Sequence, residues 1–238
     1  MTRWRCIIAL ATLAIAGCGG GKSPSQDVFT LHAGDRWVYK FTGTVTTTGS
    51  GSQTAKADQS TLTIQVNSTT ATDLHGAPLL ALDRTYDIEL LDGTKVAAVQ
   101  RLYVTQSASG IFVHGMNNSA TLPLDPAKDK FVPATTNPAY QFVYLPSPLL
   151  DGLQVSYTNP MGLTPAAGYS LTVVSSGFST VTVPLGTFQA KPLQLNEAFS
   201  GFTLSNAAIA PSVGILGGDL TATLPTITIQ GRILLSSR

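Results

Sequence analysis

The feature of this 238-residue sequence that most constrains its fold is a succession of short segments in which apolar and polar side chains alternate. STLTIQV (60–66) shows the pattern clearly, because Leu62, Ile64 and Val66 share one face of an extended chain. A period of two indicates a half-buried β-strand rather than a helix. Such segments recur along most of the chain, so the sequence predicts an all-β fold, mainly an antiparallel meander, with little helix.

Turn signals separate these segments. Asp92-Gly93 predicts a hairpin turn between PLLALDRTYDIEL and KVAAVQRLYVTQ. Pro184-Leu185-Gly186 predicts a tight turn between STVTVP and FQAKPLQL, because proline fixes φ and glycine accepts a positive φ. Further strands are expected in RWVYKFTGTVT, IFVHG, LQVSYT, YSLTVVSS and LPTITIQGRILLSS.

Two other stretches are expected to interrupt the strands, and a third is not expected to form a helix. GSGSQTAKADQ (49–59) is a predicted polar loop, and the proline-rich residues 117–148 are expected to hold at most short strands such as YQFVYL. NEAFSGFTLSN (196–206) is the longest candidate helix, but Gly201 and several β-forming residues argue against it.

The amino-terminal residues have the pattern of a secretory leader. Arg3 and Arg5 precede an apolar run of about ten residues, too short to span a bilayer, which takes about 20 residues. The run ends in Ile-Ala-Gly-Cys, which resembles the bacterial lipobox, whose cysteine thiol accepts a diacylglyceryl group. We therefore expect a signal peptide at 1–17, lipid attachment at Cys18, a flexible tether at 18–27 and a β-rich domain at 28–238. An unlipidated signal, or a buried helix with an incidental cysteine, is the alternative.

The lipobox resemblance also implies a location. In lipoproteins of Gram-negative bacteria, aspartate after the cysteine tends to retain the protein at the inner membrane. This chain has Gly19 there, so the expected location is the cell envelope, lipid-anchored, at the outer membrane.

Composition excludes several classes of function. Without residues 1–17 the chain keeps 12 of its 14 basic side chains against 13 acidic ones, which argues against nucleic acid as a partner. Cys6 lies in the leader and Cys18 is the lipid site, so the folded domain has no thiol for a disulfide, a nucleophile or a metal.

An internal similarity points to two repeats. Residues 31–39 and 149–157 both read L-x-x-G-x-x-(apolar)-x-Y and lie 118 residues apart. Weaker matches follow in the same order, at 78–82 with 192–195 and at 110–112 with 214–216. This pattern predicts repeats at about 28–148 and 149–238, which could form two curved half-sheets. Chance similarity between hairpin starts is the alternative.

These motifs also carry a family resemblance. LHAGDRWVYKF, LPSPLLDGLQVSY, VTVPLGTFQAKPLQL and APSVGIL resemble, in this order, conserved-looking segments of uncharacterised bacterial lipoproteins, including L-x-x-G-x-x-W-x-Y and V-P-x-G-T-F. Val155 and Ser212 depart from the tryptophan and glycine usual there. The resemblance implies a β-rich, surface-tethered protein without an agreed activity. It is more distantly similar to half-barrel periplasmic lipoprotein carriers, whose curved sheet holds acyl chains.

No residue pattern predicts catalysis, a cofactor or a metal site. His32, His75 and His114 lack metal-ligand spacing and are expected in loops or at edges. GYSLT (168–172) lacks the second glycine of a nucleophile elbow, and Asp125 with Asp129 lacks the glycine and glutamate of a calcium loop.

Charged and aromatic side chains are interpreted in the same way. Asp83 and Asp87 could meet on one face, but with Arg84 and Lys95 beside them they are expected to be solvated surface charges. The aromatic side chains are expected in the core rather than in a ligand groove. They are Trp37, Tyr39, Phe41, Tyr86, Tyr103, Phe112, Tyr140, Phe142, Tyr144, Tyr157 and Phe188.

Three functions remain open from the sequence. The first is a non-catalytic structural or interaction module with an envelope protein as partner. The second is a carrier of a hydrophobic ligand in a curved cleft, and the third is a hydrolase with a dispersed site.

The lipid anchor is directly testable. Cys18→Ser should release the chain from the membrane fraction and abolish incorporation of labelled palmitate, because the acylated thiol is lost. Cys6→Ser is the matched control and should change neither, since Cys6 lies in the cleaved leader. If the Cys18→Ser chain still fractionated with membranes and still incorporated palmitate, the lipobox interpretation would be contradicted.

Overall fold

The structure is a computed structural model that describes residues 29–73, 75–117, 130–131, 142–163, 166–174 and 177–238. In these residues it has fifteen β-strands and no helix, which confirms the all-β prediction. The signal peptide, Cys18, the tether and Tyr140 lie outside the described residues. The strands are β1 Arg36–Thr47, β2 Gly51–Thr54, β3 Thr61–Thr72, β4 Pro78–Glu89, β5 Lys95–Ser107, β6 Gly110–Asn117, β7 Lys130–Phe131, β8 Phe142–Pro146, β9 Gln154–Tyr157, β10 Tyr169–Val173, β11 Ser179–Val183, β12 Gly186–Glu197, β13 Phe202–Ala210, β14 Gly214–Thr223 and β15 Ile227–Ser237.

All strands belong to one antiparallel sheet that curls into a nearly closed barrel. Its order is β7-β6-β5-β4-β3-β1-β15-β14-β13-β12-β10-β9, with β2 beside β1, β8 beside β6 and β11 beside β12. Each half of the chain is therefore a meander, as predicted. The two halves join where β1, the first strand, pairs with β15, the last. The halves form one continuous sheet rather than two separate ones.

Three strands were not predicted. β2 lies in the expected polar loop and pairs with β1 over Thr44–Thr47. β13 and β14 have the sequences FTLSNAAIA and GILGGDLTAT, in which alanine, glycine and asparagine hide the alternation. Their small side chains are used for close packing, since a Cβ on Gly218 would lie 2.8 Å from the Cβ of Ala207. Pairing with a strand on each side outweighs the weak intrinsic β propensity of these residues.

The two L-x-x-G-x-x-(apolar)-x-Y segments start their strands in the same way. Gly34 and Gly152 have φ angles of 99° and 72°, and β1 and β9 each begin two residues later. The glycine is needed because other residues rarely adopt a positive φ. This shared geometry is consistent with a duplication, which itself stays a prediction.

Aromatic side chains fill the barrel interior. Of the aromatic residues expected in the core, seven are buried, whereas Phe112, Tyr157 and Phe188 are half-buried. The seven are Trp37, Tyr39, Phe41, Tyr86, Tyr103, Phe142 and Tyr144. Six of them belong to the interior core, whereas Tyr103 lies beside Arg101 on the face of the sheet that carries Asp83. Three of these rings, on Phe41, Tyr39 and Tyr86, are each no more than 1 % exposed, so the space between the strands is occupied by side chains.

A pair of glycines lies at the seam between the first and last strands. Gly43 faces Gly231 across β1 and β15, and the ring of Phe41 covers both. A Cβ on Gly231 would lie 2.2 Å from the carbonyl oxygen of Thr42 and 2.8 Å from the Phe41 ring. The seam therefore closes only because both positions lack a side chain, a known use of glycine where strands bend sharply.

Gly231→Ala should destabilise the protein by about 3 kcal/mol, because the added methyl group meets backbone atoms that cannot move without opening the seam. Chemical denaturation measures this. The control is Gly49→Ala, where a Cβ meets nothing within 4 Å but φ is 87°, so only backbone strain of about 1 kcal/mol is expected. Equal losses in the two variants would show that the glycine pair does not limit seam closure.

Candidate functional site

The most unusual feature inside the barrel is a buried ion pair between strands that are not neighbours. Arg84 points inward from β4 and Glu197 from the end of β12, and their side chains are 4 % and 0 % exposed. Arg84 Nη1 donates to Glu197 Oε2 at 2.7 Å and Nη2 donates to Oε1 at 2.6 Å. This bidentate geometry is the strongest arrangement available to the two groups.

Additional hydrogen bonds satisfy the carboxylate. Tyr144 Oη donates to Glu197 Oε1 at 2.5 Å and accepts from Arg84 Nη2 at 2.7 Å. Ser200 Oγ donates to Glu197 Oε2 at 2.8 Å. The Glu197 carboxylate thus accepts four hydrogen bonds, which leaves it no lone pair to act as a general base.

The electrostatics fix the protonation of this cluster. Burial alone would lower the pKa of Arg84, but the Glu197 carboxylate outweighs it and the pKa is raised. Burial raises the pKa of Tyr144 well above its ordinary value, so its hydroxyl stays protonated and donates. The Arg84 guanidinium also lies 4.0 Å from the ring centre of Phe202, which compensates further for its burial.

Gln100 extends the cluster to a further strand. Its side-chain oxygen accepts from Tyr86 Oη at 2.8 Å, and its side-chain nitrogen donates to the carbonyl oxygen of Ser200 at 2.7 Å. We call Arg84, Glu197, Tyr144, Gln100 and Ser200 the interior brace. It ties β4, β5, β8 and β12 together across the barrel, which is a structural role.

The expectation that Asp83 and Arg84 are solvated surface charges was wrong. Arg84 belongs to the interior brace, and Asp83, 9 % exposed on the opposite face of β4, pairs with Arg101 at 2.6 Å and accepts from Asn67 at 2.8 Å. Asp87 and Lys95 are exposed, as expected. The local sequence held no signal for the ion pair, because Glu197 lies 113 residues from Arg84.

The histidines do not come together. His32 and His75 are exposed in loops, as expected, but His114 is a correction: it lies in β6, is 8 % exposed, and its Nε2 is 2.7 Å from Thr105 Oγ1. Burial lowers the pKa of His114 and Asp73 opposes that shift. Among the described residues no three histidine, cysteine, aspartate or glutamate side chains are placed to hold a metal ion.

A small cavity adjoins the interior brace. Its volume is about 60 Å³, and its lining is mostly apolar, with Arg84 and Tyr144 on one side. Pockets that bind small organic ligands usually measure about 300–1,000 Å³. A cavity of this size is therefore too small for an acyl chain.

Residues 29–31, which we call the amino-terminal strap, cover this cavity. The Phe29 ring packs against Trp37 with 5.4 Å between ring centres, and Leu31 is only 6 % exposed. Gln106 on β5 holds the strap with two hydrogen bonds, one to each side of Thr30. Leu31 also borders a more open groove of about 830 Å³, which we call the outer groove and which is lined in part by Leu80 and Thr105. The sequence predicted no role for Phe29 or Gln106, and it marked Leu31 only as the first residue of the repeated motif at 31–39.

No known protein family, curated protein or solved structure matches the chain. Within the described ranges, no helix has the length and apolar character needed to cross a membrane. Function is therefore argued from the interior brace, the cavity and the amino-terminal strap.

Arg84→Met should destabilise the protein by about 3–5 kcal/mol, because it leaves the Glu197 carboxylate buried without its partner. Arg84→Met/Glu197→Met should recover most of that loss, since no buried charge remains. Denaturant unfolding of these two variants and of Glu197→Met measures the coupling free energy of the pair.

The matched control is Arg232→Met. Arg232 pairs with Asp219 at 3.0 Å, but their side chains are 54 % and 42 % exposed, so the loss should stay below about 1 kcal/mol. An Arg84→Met loss as small as this would show that the interior brace does not stabilise the barrel.

Proposed function

We propose that the chain is a lipoprotein of the bacterial cell envelope, anchored to the outer membrane through lipid on Cys18, that acts as a non-catalytic structural or interaction module. Its partner would be another envelope protein. The observation that carries the proposal is the filled and cross-braced barrel interior.

The interior of the described barrel supports a non-catalytic role. The strongest candidate base, Glu197, has its lone pairs occupied, and the adjoining cavity is about 60 Å³. A buried network with every partner satisfied rigidifies a fold and specifies one packing. Such a rigid body suits the presentation of an outer surface or a rim to a partner.

The anchor and the charge balance support the same proposal. Two or three acyl chains on Cys18 would hold the chain at the membrane, because each buried CH₂ contributes about 0.8 kcal/mol. The near-neutral domain has no excess of basic side chains for nucleic acid. Among the ways in which the domain could bind a partner, this charge balance favours contact through uncharged polar and apolar surface.

A carrier of a hydrophobic ligand is the second candidate, because of one observation. The apolar cavity is covered by the amino-terminal strap, which the side chain of Gln106 fastens with two hydrogen bonds. If the strap moved, the cavity and the outer groove would become continuous, since Leu31 borders both.

Two measurements on the envelope separate these functions. Native mass spectrometry of the Cys18→Ser chain should show the protein without bound lipid, because its interior is filled; this variant removes the anchor lipid from the spectrum. Crosslinking of intact envelopes should recover one reproducible protein partner with the unaltered chain and lose it with Cys18→Ser. Lipid bound to the Cys18→Ser chain, together with no crosslinked partner in repeated experiments, would favour the carrier.

A further inference from the structure

We infer that the end of the barrel at which β1 and β14 begin and β5 ends, which we call the barrel mouth, is a recognition site for an extended peptide segment with an aromatic and an aliphatic side chain two residues apart. The amino-terminal strap occupies this site in cis. The inference deepens the proposed interaction function, on which it rests, by naming the contact site and the chemistry of the partner.

Gln106 forms hydrogen bonds with the backbone of the amino-terminal strap. Its side-chain Oε1 accepts from the amide nitrogen of Leu31 at 2.7 Å, and its Nε2 donates to the carbonyl oxygen of Phe29 at 3.1 Å. Both contacts use main-chain groups, which every extended peptide offers at the same spacing. Main-chain hydrogen bonds of this kind supply affinity in peptide recognition, while pockets for alternate side chains supply specificity.

Phe29 and Leu31 both line the small cavity, and the places that their side chains fill are the two pockets of the site. Phe29 lies against Trp37 in an edge-to-face arrangement at 61°, and Leu31 is buried between the cavity and the outer groove. Thr30, between them, is exposed, as expected for an extended segment in which residues i and i+2 share a face.

Gly214 shapes the first pocket. A Cβ at this position would lie 3.2 Å from the Phe29 ring and 3.4 Å from Trp37 Nε1. The φ of Gly214 is 108°, a conformation that glycine tolerates and other residues rarely adopt. The missing side chain therefore makes the space in which an aromatic ring sits, and Trp37 is held in place because its Nε1 donates to the carbonyl oxygen of Val213 at 2.7 Å.

The strap acts as an intramolecular competitor. It is joined to β1 through the turn at Gly34, so its effective concentration at the mouth is in the millimolar range or above. A partner peptide with the same pattern binds only when it outcompetes the strap. It also gains contacts in the outer groove of about 830 Å³, which adjoins Leu31.

The probe for the test is a fluorescein-labelled peptide with the sequence Val-Phe-Thr-Leu-His, which copies residues 28–32. The protein is the full chain carrying Cys18→Ser, which removes the lipid and no residue. Fluorescence polarisation compares this chain with the same chain carrying Phe29→Ser/Leu31→Ser. The double variant should bind the peptide at least tenfold more tightly, because its own strap no longer fills the pockets.

Three controls assign the binding to the mouth. Adding Gln106→Leu to the double variant should abolish the gain, since it removes both main-chain contacts. A peptide with serine in place of phenylalanine and leucine should not bind. Leu91→Ser, at a 66 % exposed residue in the β4–β5 turn, should leave the affinity of the double variant unchanged.

The inference is overturned if the double variant unfolds with the parent's cooperativity and yet binds the peptide no more tightly. It is equally overturned if a fatty acid displaces the peptide while Gln106→Leu has no effect, or if strap release only produces a dimer that ignores the peptide. Should the double variant fail to fold, Phe29→Ser alone replaces it, with an expected gain of at least threefold.

This assay is independent of the anchor. Peptide binding by the Cys18→Ser chain succeeds or fails without a membrane, whereas the envelope crosslinking of the proposed function requires the lipidated chain. A negative result in one of the two experiments therefore leaves the result of the other interpretable.

Discussion

The bidentate pair of Arg84 and Glu197 is the interaction on which the barrel most depends. Two charges taken out of water carry a large desolvation cost, which their attraction offsets only when every remaining hydrogen-bonding group is satisfied. Tyr144 and Ser200 meet that condition for the carboxylate. A register slip of one residue in β4 would turn Arg84 to the outer face and leave Glu197 alone inside, so the pair selects one pairing of the strands as well as stabilising it.

The interior brace and the seam both hold the barrel closed, because each connects strands on a different side of the barrel. At the seam, β1 and β15 form a continuous ladder around the Gly43 and Gly231 pair. On the other side, β8 meets β9 and β10 through side chains: Tyr169 Oη donates to the carbonyl oxygen of Tyr144, and the amide of Val143 donates to Tyr157 Oη at 3.2 Å. Pairing the first strand with the last makes the seam contacts non-local, and such topologies fold slowly because a long loop must close before the seam forms.

Period-two alternation was enough to find most strands, the Asp92-Gly93 hairpin and the aromatic core, since those features depend on neighbours in sequence. It failed where side chains are small, as in β13 and β14, because alanine and glycine carry little hydrophobic signal while still packing closely. It also failed for the interior brace and the amino-terminal strap. Arg84 looked solvated beside Asp83 and Asp87, and Gln106 looked like an ordinary polar residue at a strand end, because their partners come from distant parts of the chain.

The short chain between Cys18 and the amino-terminal strap connects the two proposals, because its length limits how far the barrel mouth can lie from a lipid on Cys18. Phe29 lies eleven positions after Cys18, and a fully extended chain of that length reaches about 40 Å at most. A lipid on Cys18 would therefore keep the mouth within about 40 Å of the membrane while the strap is seated. A partner protein held at the membrane could then reach the mouth, and release of the strap would lengthen the free tether. Anchoring and recognition would thus act through one short segment, which explains how a barrel with a filled interior could still respond to a partner.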